Sequence, residues 1–337
     1  MNILHIIFTN EFAGSERYAC QLASLQAAAG ERVFILVRGW NEAYVGRMVR
    51  EAAPATVVTV PWWWPSVLGH WAVRRAVARL KPTVVHTHLG RATKAVGKAL
   101  AVMAGQPKHV ATLHLEYRKE YAVCDGLICI AAWQKAGVKA GGYKGKVAVV
   151  WNWAMPRPAG APEVRTGFTF LSVGRLVPNK GMDVLIRAFR QAFAKGEEAS
   201  LVIAGDGPER AALEALAEGD PRITVLGYVA DVGALYPAAK VYVSAARYEP
   251  FGLTILEAMQ AGCRLVCTRT QGPSEFLADF SPHWAEMDDV ASLAKALKAG
   301  YKASVNGRVG WEMEAFSAPR ALEKILRAYN NVDQNRR

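Results

Sequence analysis

The sequence predicts an α/β protein built from two doubly wound parallel-sheet domains. Short apolar runs rich in β-branched residues alternate with longer segments of helical period. This pattern is typical of parallel strands that helices cover on both faces. The runs form two successive series, and the Pro/Gly-rich stretch Met155–Pro162 between them suits neither a helix nor a sheet interior. A chain of 337 residues is long enough for two such domains.

The strands follow from these apolar runs. The first series comprises Ile3–Phe8, Val33–Val37, Ala55–Val60, Val84–Thr87, Val110–His114, Leu127–Ile130 and Val147–Trp151. The second series comprises Phe168–Val173, Leu201–Ala204, Ile223–Leu226, Val241–Ser244 and Arg264–Thr268. We therefore predict domains at residues 1–157 and 158–317, followed by a last helix at about Pro319 to Tyr329. Ligands bind at the carboxyl ends of strands in such sheets, so we expect a site between the domains.

Composition restricts the class of protein. No apolar run approaches the roughly 18 to 20 residues of a membrane-spanning helix, and no basic region precedes the first apolar run. The segment Asn2 to Phe8 is therefore interpreted as a strand rather than a signal peptide. The five cysteines lack zinc-site or redox-motif spacing. We expect a reduced, cytoplasmic protein, with a position at the cytoplasmic face of the membrane as a second option.

The positive charge lies on one side of the chain. Residues 1–160 contain 20 Lys and Arg against 8 Asp and Glu, whereas residues 161–337 contain 21 of each, so the first half carries the whole net charge of +12. This asymmetry predicts that the first half meets an anionic partner: a phosphorylated acceptor, an anionic membrane or nucleic acid. A general contribution to solubility is the alternative.

Two glutamates mark the strongest motif, which runs from Ser244 to Gly262. Glu249 falls in the loop after a predicted strand, and Glu257 lies about one and a half turns inside a helix that starts near Gly252. Backbone N–H groups at the start of this helix suit phosphate oxygens. A carboxylate further along accepts hydrogen bonds from vicinal hydroxyl groups, as on a ribose. Two solvated glutamates beside a helix start would give the same pattern.

Three further turns follow predicted strands. Gly174–Gly181 contains Arg175 and Lys180, two cations that can close on one diphosphate, although a surface turn also fits. Ala204–Pro208 is a tight glycine turn and is weak evidence alone. Phe12–Arg17 is a glycine turn into a helix, without the complete glycine fingerprint of dinucleotide-binding proteins.

Six motifs, taken in order, resemble those of retaining glycosyltransferases of family 4, and the resemblance spans nearly the whole chain. They are Gly14–Glu16, Val85–His88, Thr112–His114, Gly174–Gly181, Ala204–Pro208 and the Glu249/Glu257 pair. The resemblance implies the GT-B fold, a nucleotide-diphosphate sugar as donor, and a last helix (318–337) that crosses back to the first domain. Ala13 stands where the family often has a second glycine.

The resemblance also assigns roles to residues. Arg175 and Lys180 would hold the donor diphosphate, Glu249 the hydroxyls of the transferred sugar, and Glu257 the ribose; His114 would lie near the donor sugar. Four of these residues are predicted to be catalytic: Arg175, Lys180, Glu249 and His114. The predicted donor site contains, besides Glu257, Gly14, Ser15, Gly174, Gly205, Gly227, Val229, Phe251, Gly252, Leu253 and Thr254.

No bound metal or other cofactor is expected. The sequence has no Asp-x-Asp motif, the signature of metal-dependent sugar transferases. His86, His88 and His114 form a candidate cluster, but we interpret His86 and His88 as pointing to opposite faces of their strand. Retaining transfer by front-face attack needs no obligatory enzymic base, and the protein contributes positioning and charge stabilisation.

The acceptor side is predicted in the first domain. After Trp62–Trp64, a helix-like segment is predicted to carry Val67, Trp71, Val77 and Leu80 on one apolar stripe, with arginines on another side. This suits a membrane interface, or a helix packed on its sheet. The predicted acceptor-binding residues are Glu16, Arg17, His88, Arg91 and Arg118, with Lys94 and Lys119 nearby. We expect a phosphorylated or lipid-linked envelope glycan, such as lipopolysaccharide core, as acceptor and no nucleic acid partner.

Other function classes fit parts of the pattern. A non-catalytic binding protein on the same scaffold would not need Arg175, Lys180, Glu249 and Glu257 together. A sugar-nucleotide epimerase of similar fold would release a new monosaccharide without an acceptor. A phosphorylase with pyridoxal phosphate is disfavoured because the chain is too short and has no recognisable lysine site. The nucleobase, the sugar and the linkage do not follow from the sequence.

Overall fold

The computed structural model describes residues 1–39, 41–61, 69–154 and 168–332. Backbone contacts divide the chain into two compact units. The first contains Met1–Asn152 and the segment from Ala318 onward, and the second contains Trp153–Ser317. This boundary falls five residues before the predicted one at 157/158. The predicted linker Met155–Pro162 lies outside the described residues.

The first unit is a parallel sheet with helices on both faces. Its elements are β1 (Asn2–Ile7), α1 (Gly14–Ala28), β2 (Arg32–Gly39), α2 (Glu42–Ala52), β3 (Thr56–Pro61), α3 (Gly69–Leu80), β4 (Val84–His88), α4 (Leu89–Leu100), β5 (Lys108–Leu113), β6 (Gly126–Cys129), α5 (Gln134–Ala140) and β7 (Lys146–Val149). The strand order is β3-β2-β1-β4-β5-β6-β7, and every pairing is parallel.

Alternation along β1 distributes side chains between two cores. Leu4 and Ile6 pack with the buried residues of α3 and α4 on one face, whereas Ile7 packs with α1 and α2 on the other. His5 has the parity of Ile7 and therefore lies on the α1 side. Because β1 pairs in register with β4, His5 stands level with His86.

The second unit is a separate parallel sheet. Its elements are β8 (Phe168–Val173), α6 (Met182–Ala192), β9 (Leu201–Ala204), α7 (Arg210–Ala217), β10 (Ile223–Gly227), α8 (Leu235–Ala238), β11 (Ala239–Ser244), α9 (Leu253–Gln260), β12 (Arg264–Thr268), α10 (Gln271–Phe276), β13 (His283–Ala285) and α11 (Val290–Ser304). The strand order is β10-β9-β8-β11-β12-β13. Phe170, Leu185, Phe189, Val241 and Leu297 are fully buried in its core.

The last helix, α12 (Ala318–Asn331), packs on the first unit. It contacts α1, β6 and β7, and its Ile325 and Tyr329 have no exposed surface. The Lys108 ammonium donates to the carbonyl of Tyr329 over 2.9 Å. A cation at the last carbonyls of a helix also complements its dipole.

The predicted fold class is confirmed. All twelve predicted strands are present with ends shifted by at most two residues, and among the described residues the structure adds one strand to them, β13. Within the described residues no helix combines the length and apolarity needed to cross a bilayer. All five cysteines are free and buried.

The predicted apolar stripe around Trp71 is wrong. The face of α3 that packs on the sheet consists of Ala72, Val73, Ala76 and Val77. Trp71 is 50% exposed, and the Arg74 guanidinium lies 4.8 Å from the centre of its ring. Alanine and valine side chains along about two turns of α3 allow the helix to approach the sheet closely. The larger side chain of Trp71 lies outside this contact. Trp62–Trp64 and Val67 lie outside the described residues.

Candidate functional site

An ion pair joins the loops that follow the two central strands of the second unit. Lys180 lies between β8 and α6, and Glu249 lies between β11 and α9. The Lys180 ammonium donates to Glu249 Oε2 over 2.6 Å, and both side chains are mostly buried. Because β8 and β11 are neighbours in the sheet, their carboxyl ends bring the two loops together. Two of the four predicted catalytic residues therefore lie next to each other.

Backbone contacts fix this arrangement. The Asn179 carbonyl accepts hydrogen bonds from the backbone N–H groups of Arg247, at 2.9 Å, and Tyr248, at 3.3 Å. Gly181 has φ of +63°, and a Cβ there would lie 2.0 Å from the Ala245 carbonyl oxygen. Glycine is therefore required at position 181, where the loop that contains Lys180 meets the loop that contains Glu249.

Arg247 joins the loop after β11 to α6 and was not among the predicted site residues. Its guanidinium donates two hydrogen bonds to the Asp183 carboxylate, at 2.9 and 3.0 Å. Burial opposes ionisation of Asp183, but the hydrogen bonds and charge of Arg247 outweigh it and lower the pKa of that carboxyl group. This paired geometry restricts how far the loop after β11 can move relative to α6.

Glycines close the neighbouring strand ends. The Gly174 N–H donates to the Ala204 carbonyl at 3.0 Å, and the Gly205 N–H donates to the Gly227 carbonyl at 2.9 Å. A Cβ on Gly205 would lie 1.8 Å from the Gly174 carbonyl oxygen. Gly227 has φ of +73°, and Val229 beyond it is partly exposed. The structure thus brings the predicted glycines Gly174, Gly205 and Gly227 to one edge of the sheet.

Helix α9 begins beside the ion pair. Gly252 precedes it with φ of +110°, and Phe251 is buried against Phe276 with ring centres 4.7 Å apart. The first N–H groups, on Leu253 and Thr254, have no partner within the helix by its geometry. Partial positive charge at this end favours an anion.

Glu257 lies one turn further along α9, on the side of Leu253. The hydroxyl of Tyr236, itself buried, donates to Glu257 Oε2 over 2.6 Å. This hydrogen bond fixes the orientation of the Glu257 carboxylate. Arg175, at the end of β8, has an exposed side chain.

The first unit contains the other predicted residues. Gly14 and Ser15 open α1, where Gly14 is exposed. Arg17, Arg91 and Arg118 are partly or fully exposed, and His114 is partly exposed after β5. All of these positions follow carboxyl ends of β1, β4 or β5.

Two predicted acceptor contacts are corrected. Glu16 is buried, and its carboxylate accepts from the Ala13 N–H at 2.9 Å and the Ser15 hydroxyl at 3.0 Å. It caps α1, a role that Ala13 cannot share because it has no side-chain oxygen. His88 has no exposed surface and is hydrogen-bonded to His5 and His114. Neither side chain is available to an acceptor in this arrangement.

His86 and His88 point to the same face of β4, which corrects the expectation that they point to opposite faces. Residues two apart on a strand share a face, and the two rings lie 4.5 Å apart at the centres. With His5 they place ring nitrogens within 4.8 Å of one another, so these three are the candidate metal ligands. However, protein hydrogen bonds occupy both ring nitrogens of each histidine. A metal ion would have to displace these bonds.

Other contributors lacked a local signal. Tyr236 and Tyr242 reach the α9 segment from α8 and β11, and Tyr242 donates to the Thr254 hydroxyl at 2.7 Å. Gln26 and Tyr329 meet the histidines from α1 and α12. Only the Arg247 position, inside the strongest motif, offered a hint in the sequence.

Comparison with known proteins identifies relatives over most of the chain. Residues 12–154 match the family model described as Glycosyltransferase Family 4. Residues 167–302 match the model described as Glycosyl transferases group 1. The two matches lie on the first and second units respectively.

Individual relatives extend the comparison. Lipopolysaccharide core biosynthesis glycosyltransferase LpsD of Rhizobium meliloti is 27% identical over 293 residues, covering 81% of this chain and 80% of the relative. A phosphatidylinositol N-acetylglucosaminyltransferase component of Arabidopsis thaliana is 26% identical over 326 residues, covering 86% and 72%. The solved structure of Anabaena Alr3699/HepE with UDP and glucose has a TM-score of 0.80 at 16% identity, covering 98% of this chain and 99% of that one.

Proposed function

The chain belongs to glycosyltransferase family 4, and on that premise we propose that it transfers a sugar from a UDP- or GDP-linked donor to an acceptor hydroxyl with retention of configuration. The observation that carries this proposal is the ion pair of Lys180 and Glu249 beside the start of α9. The cation and the N–H groups at the start of the helix suit the diphosphate oxygens of such a donor, and the carboxylate suits its sugar hydroxyls.

The second unit supplies the donor site in this proposal. Arg175 and Lys180 bind the diphosphate, and Glu257, oriented by Tyr236, accepts hydrogen bonds from the ribose hydroxyls. Glu249 binds hydroxyls of the transferred sugar, and Gly227 to Val229 border the nucleobase. The solved relative with UDP and glucose supports a nucleotide-sugar donor.

The transfer proceeds by front-face attack without a metal ion. The bond between the anomeric carbon and the diphosphate oxygen breaks as the acceptor oxygen bonds to the same face of that carbon. The departing phosphate oxygen takes the acceptor proton. Arg175, Lys180 and the first N–H groups of α9 stabilise the charge that grows on the diphosphate, which is the role a metal has in other transferases.

The acceptor is an anionic, phosphorylated or lipid-linked saccharide of the cell envelope, met at the cytoplasmic face of the membrane. Two relatives support this class by name, one in lipopolysaccharide core synthesis and one acting on phosphatidylinositol. Helices α3 and α4, which pack side by side, expose basic side chains together with half of Trp71. These basic residues are Arg75, Arg79, Arg91, Lys94 and Lys98. Basic and aromatic groups on one surface suit anionic headgroups.

A product assay tests the proposal. The protein is incubated with each nucleotide sugar and envelope lipid extract, with and without EDTA, and the anomeric configuration of the product is read by NMR. We expect transfer with retention that EDTA leaves unchanged. A free, epimerised monosaccharide would instead indicate the epimerase, and an inverted product or loss with EDTA would contradict the mechanism.

A further inference from the structure

Gln26, on α1 and fully buried, joins two hydrogen-bonded chains of side chains inside the first unit. Its Oε1 lies 2.6 Å from His5 Nε2, and its Nε2 donates to the Tyr329 hydroxyl over 3.0 Å. The first chain continues from His5 Nδ1 to His88 Nε2, at 3.0 Å. It ends where His88 Nδ1 lies 3.2 Å from His114 Nε2.

The second chain starts from the other end of the same amide. The Tyr329 hydroxyl lies 2.6 Å from His86 Nδ1, and His86 Nε2 lies 2.7 Å from the Thr112 hydroxyl. This chain never reaches His114. The two chains therefore share Gln26 and differ in where they end.

The four histidines of these chains are neutral at physiological pH. Burial lowers the pKa of His5 to about 4 and that of His114 to about 3. Burial, reinforced by the neighbouring imidazoles, lowers the pKa of His86 and His88 well below the ordinary value. A neutral imidazole has one N–H donor and one acceptor nitrogen. A bond at one nitrogen therefore fixes the role of the other, and each chain has a direction.

Gln26 sets that direction because an amide oxygen only accepts. His5 must then carry its proton on Nε2 and accept at Nδ1. His88 must donate from Nε2 and accept at Nδ1, and His114 must donate from Nε2. Nδ1 of His114 is left with a lone pair, and none of the described residues donates to it.

We propose that Gln26 is a positioning residue that holds His114 in the Nε2–H tautomer, so that Nδ1 offers an acceptor to a hydroxyl of the donor sugar. This rests on the proposed function and on the resemblance to family 4, which implies that His114 lies near the donor sugar. The opposite orientation of the amide would reverse every bond in both chains and convert all four histidines to the Nδ1–H form. His114 would then offer a donor instead. The orientation of the Gln26 amide thus makes His114 Nδ1 an acceptor. An acceptor there favours a sugar hydroxyl, which can donate a hydrogen bond, over a methoxy group, which can only accept one.

The tautomers are read by NMR of the full-length protein labelled with 15N in histidine, because protonated and unprotonated imidazole nitrogens resonate far apart. In the free wild-type protein we expect His5, His86, His88 and His114 to be neutral with the proton on Nε2. Gln26→Met removes the shared amide while keeping the side-chain length. We expect His114 in this variant to exchange between both tautomers.

Two further variants separate tautomer control from a general effect on the fold. Thr112→Val cuts the second chain and also removes the hydrogen bond between Thr112 and Tyr18, so it should change the signals of His86 and leave the tautomer of His114 unchanged. Gln26→Glu supplies oxygens that only accept, so His114 should keep its proton on Nε2 while Tyr329 turns towards the new carboxylate and His86 shifts to Nδ1–H. The Gln26→Glu result still tests the proposal if Gln26→Met does not fold.

Three results would overturn the proposal: His114 protonated on Nδ1 in the wild type, His114 unchanged in folded Gln26→Met, or displacement of the cluster signals by added Zn²⁺. These spectra need no substrate, so they stand even if the proposed transfer fails. With an active donor, kcat/KM of Gln26→Met should fall about two- to tenfold, the effect of one neutral hydrogen bond. Thr112→Val should stay within twofold of the wild type.

Discussion

The Lys180 ammonium donates to the Glu249 carboxylate over 2.6 Å, although 69 residues separate them in the chain. Neither residue needs the other for the fold of its own loop, because backbone bonds from Arg247 and Tyr248 to Asn179 already join the loops. In the absence of donor, the pair holds a cation and an anion next to each other. Binding of a diphosphate and a sugar would give each of them a partner of its own.

Removal of the Lys180 charge should therefore abolish most of the transfer. We expect Lys180→Met to lower kcat by about 10²- to 10³-fold, the usual cost of losing one preorganised group that stabilises developing charge. Steady-state kinetics with the identified donor measure this. Lys195→Met, at an exposed lysine of the same unit, is the matched control and should keep full activity. Activity of Lys180→Met within threefold of the wild type would remove this lysine from the mechanism.

Gly205 should tolerate no side chain. Its φ is +150°, and a Cβ would lie 1.8 Å from the Gly174 carbonyl oxygen, so the turn must move. We expect Gly205→Ala to destabilise the second unit by about 2–4 kcal/mol and to weaken nucleotide binding. Gly196→Ala is the control, because Gly196 also has a positive φ but open space around its Cα. It should cost about 1 kcal/mol. Equal urea midpoints for the two variants would show that the close approach is absent.

The histidine cluster should make the first unit acid-sensitive. The pKa of His5 is about 4 in the folded protein against 6.5 for an ordinary histidine, so below pH 6.5 the unfolded chain binds a proton that the folded chain does not. Stability is therefore lost as the pH falls from 6.5 towards 4. At pH 5, His5 alone costs about 2 kcal/mol, and the depressed pKa values of His86, His88 and His114 act in the same direction.

Urea unfolding at pH 7.5, 6 and 5 measures this effect. The free energy of unfolding should fall steadily across the series, and His5→Gln should reduce proton uptake on unfolding by about one. A flat profile between pH 7.5 and 5 would mean that these imidazoles are protonated inside the folded protein, against the assigned hydrogen bonds.

The basic face of α3 should bind anionic membranes. We expect the double variant Arg75→Glu with Arg79→Glu to lose most of its binding to vesicles of phosphatidylcholine and phosphatidylserine, because each basic residue near such a surface contributes about 1 kcal/mol. The control, Lys195→Glu with Lys298→Glu, makes the same change in net charge on exposed residues of the second unit. Equal cosedimentation of the two variants would indicate that only net charge matters.

Local pattern predicted most of the fold. Parallel strands such as β4 and β8 are continuous apolar runs that a sequence reveals directly, whereas β13 has three residues, two of them His283 and Trp284, and carries no such run. The motifs around Lys180 and Glu249 could be recognised because each lies at the end of one strand, and adjacency of β8 and β11 in the sheet then places them together.

Contacts across the chain were not predictable in this way. The hydrogen bond from Tyr236 to Glu257 depends on how α8 and α9 are both placed against β11. His5 meets His86 only because β1 pairs with β4 in that register, and Tyr329 reaches them from the far end of the chain. Residues two apart on a strand share a face. Because His86 and His88 were assigned to opposite faces of β4, the histidine cluster was not predicted.

We expect the second unit to bind a nucleotide-diphosphate sugar through Glu257 and Lys180 without a metal. The most direct test is thermal unfolding of the wild type and Glu257→Ala with UDP, GDP, ADP and CMP and their sugar conjugates, each with and without EDTA. A ligand at 100 times its Kd stabilises by about 2.7 kcal/mol, which raises Tm by a few degrees. We predict that one nucleotide family raises the Tm of the wild type alone, equally with EDTA. No shift with any nucleotide in the folded protein, or an equal shift in Glu257→Ala, would contradict the account.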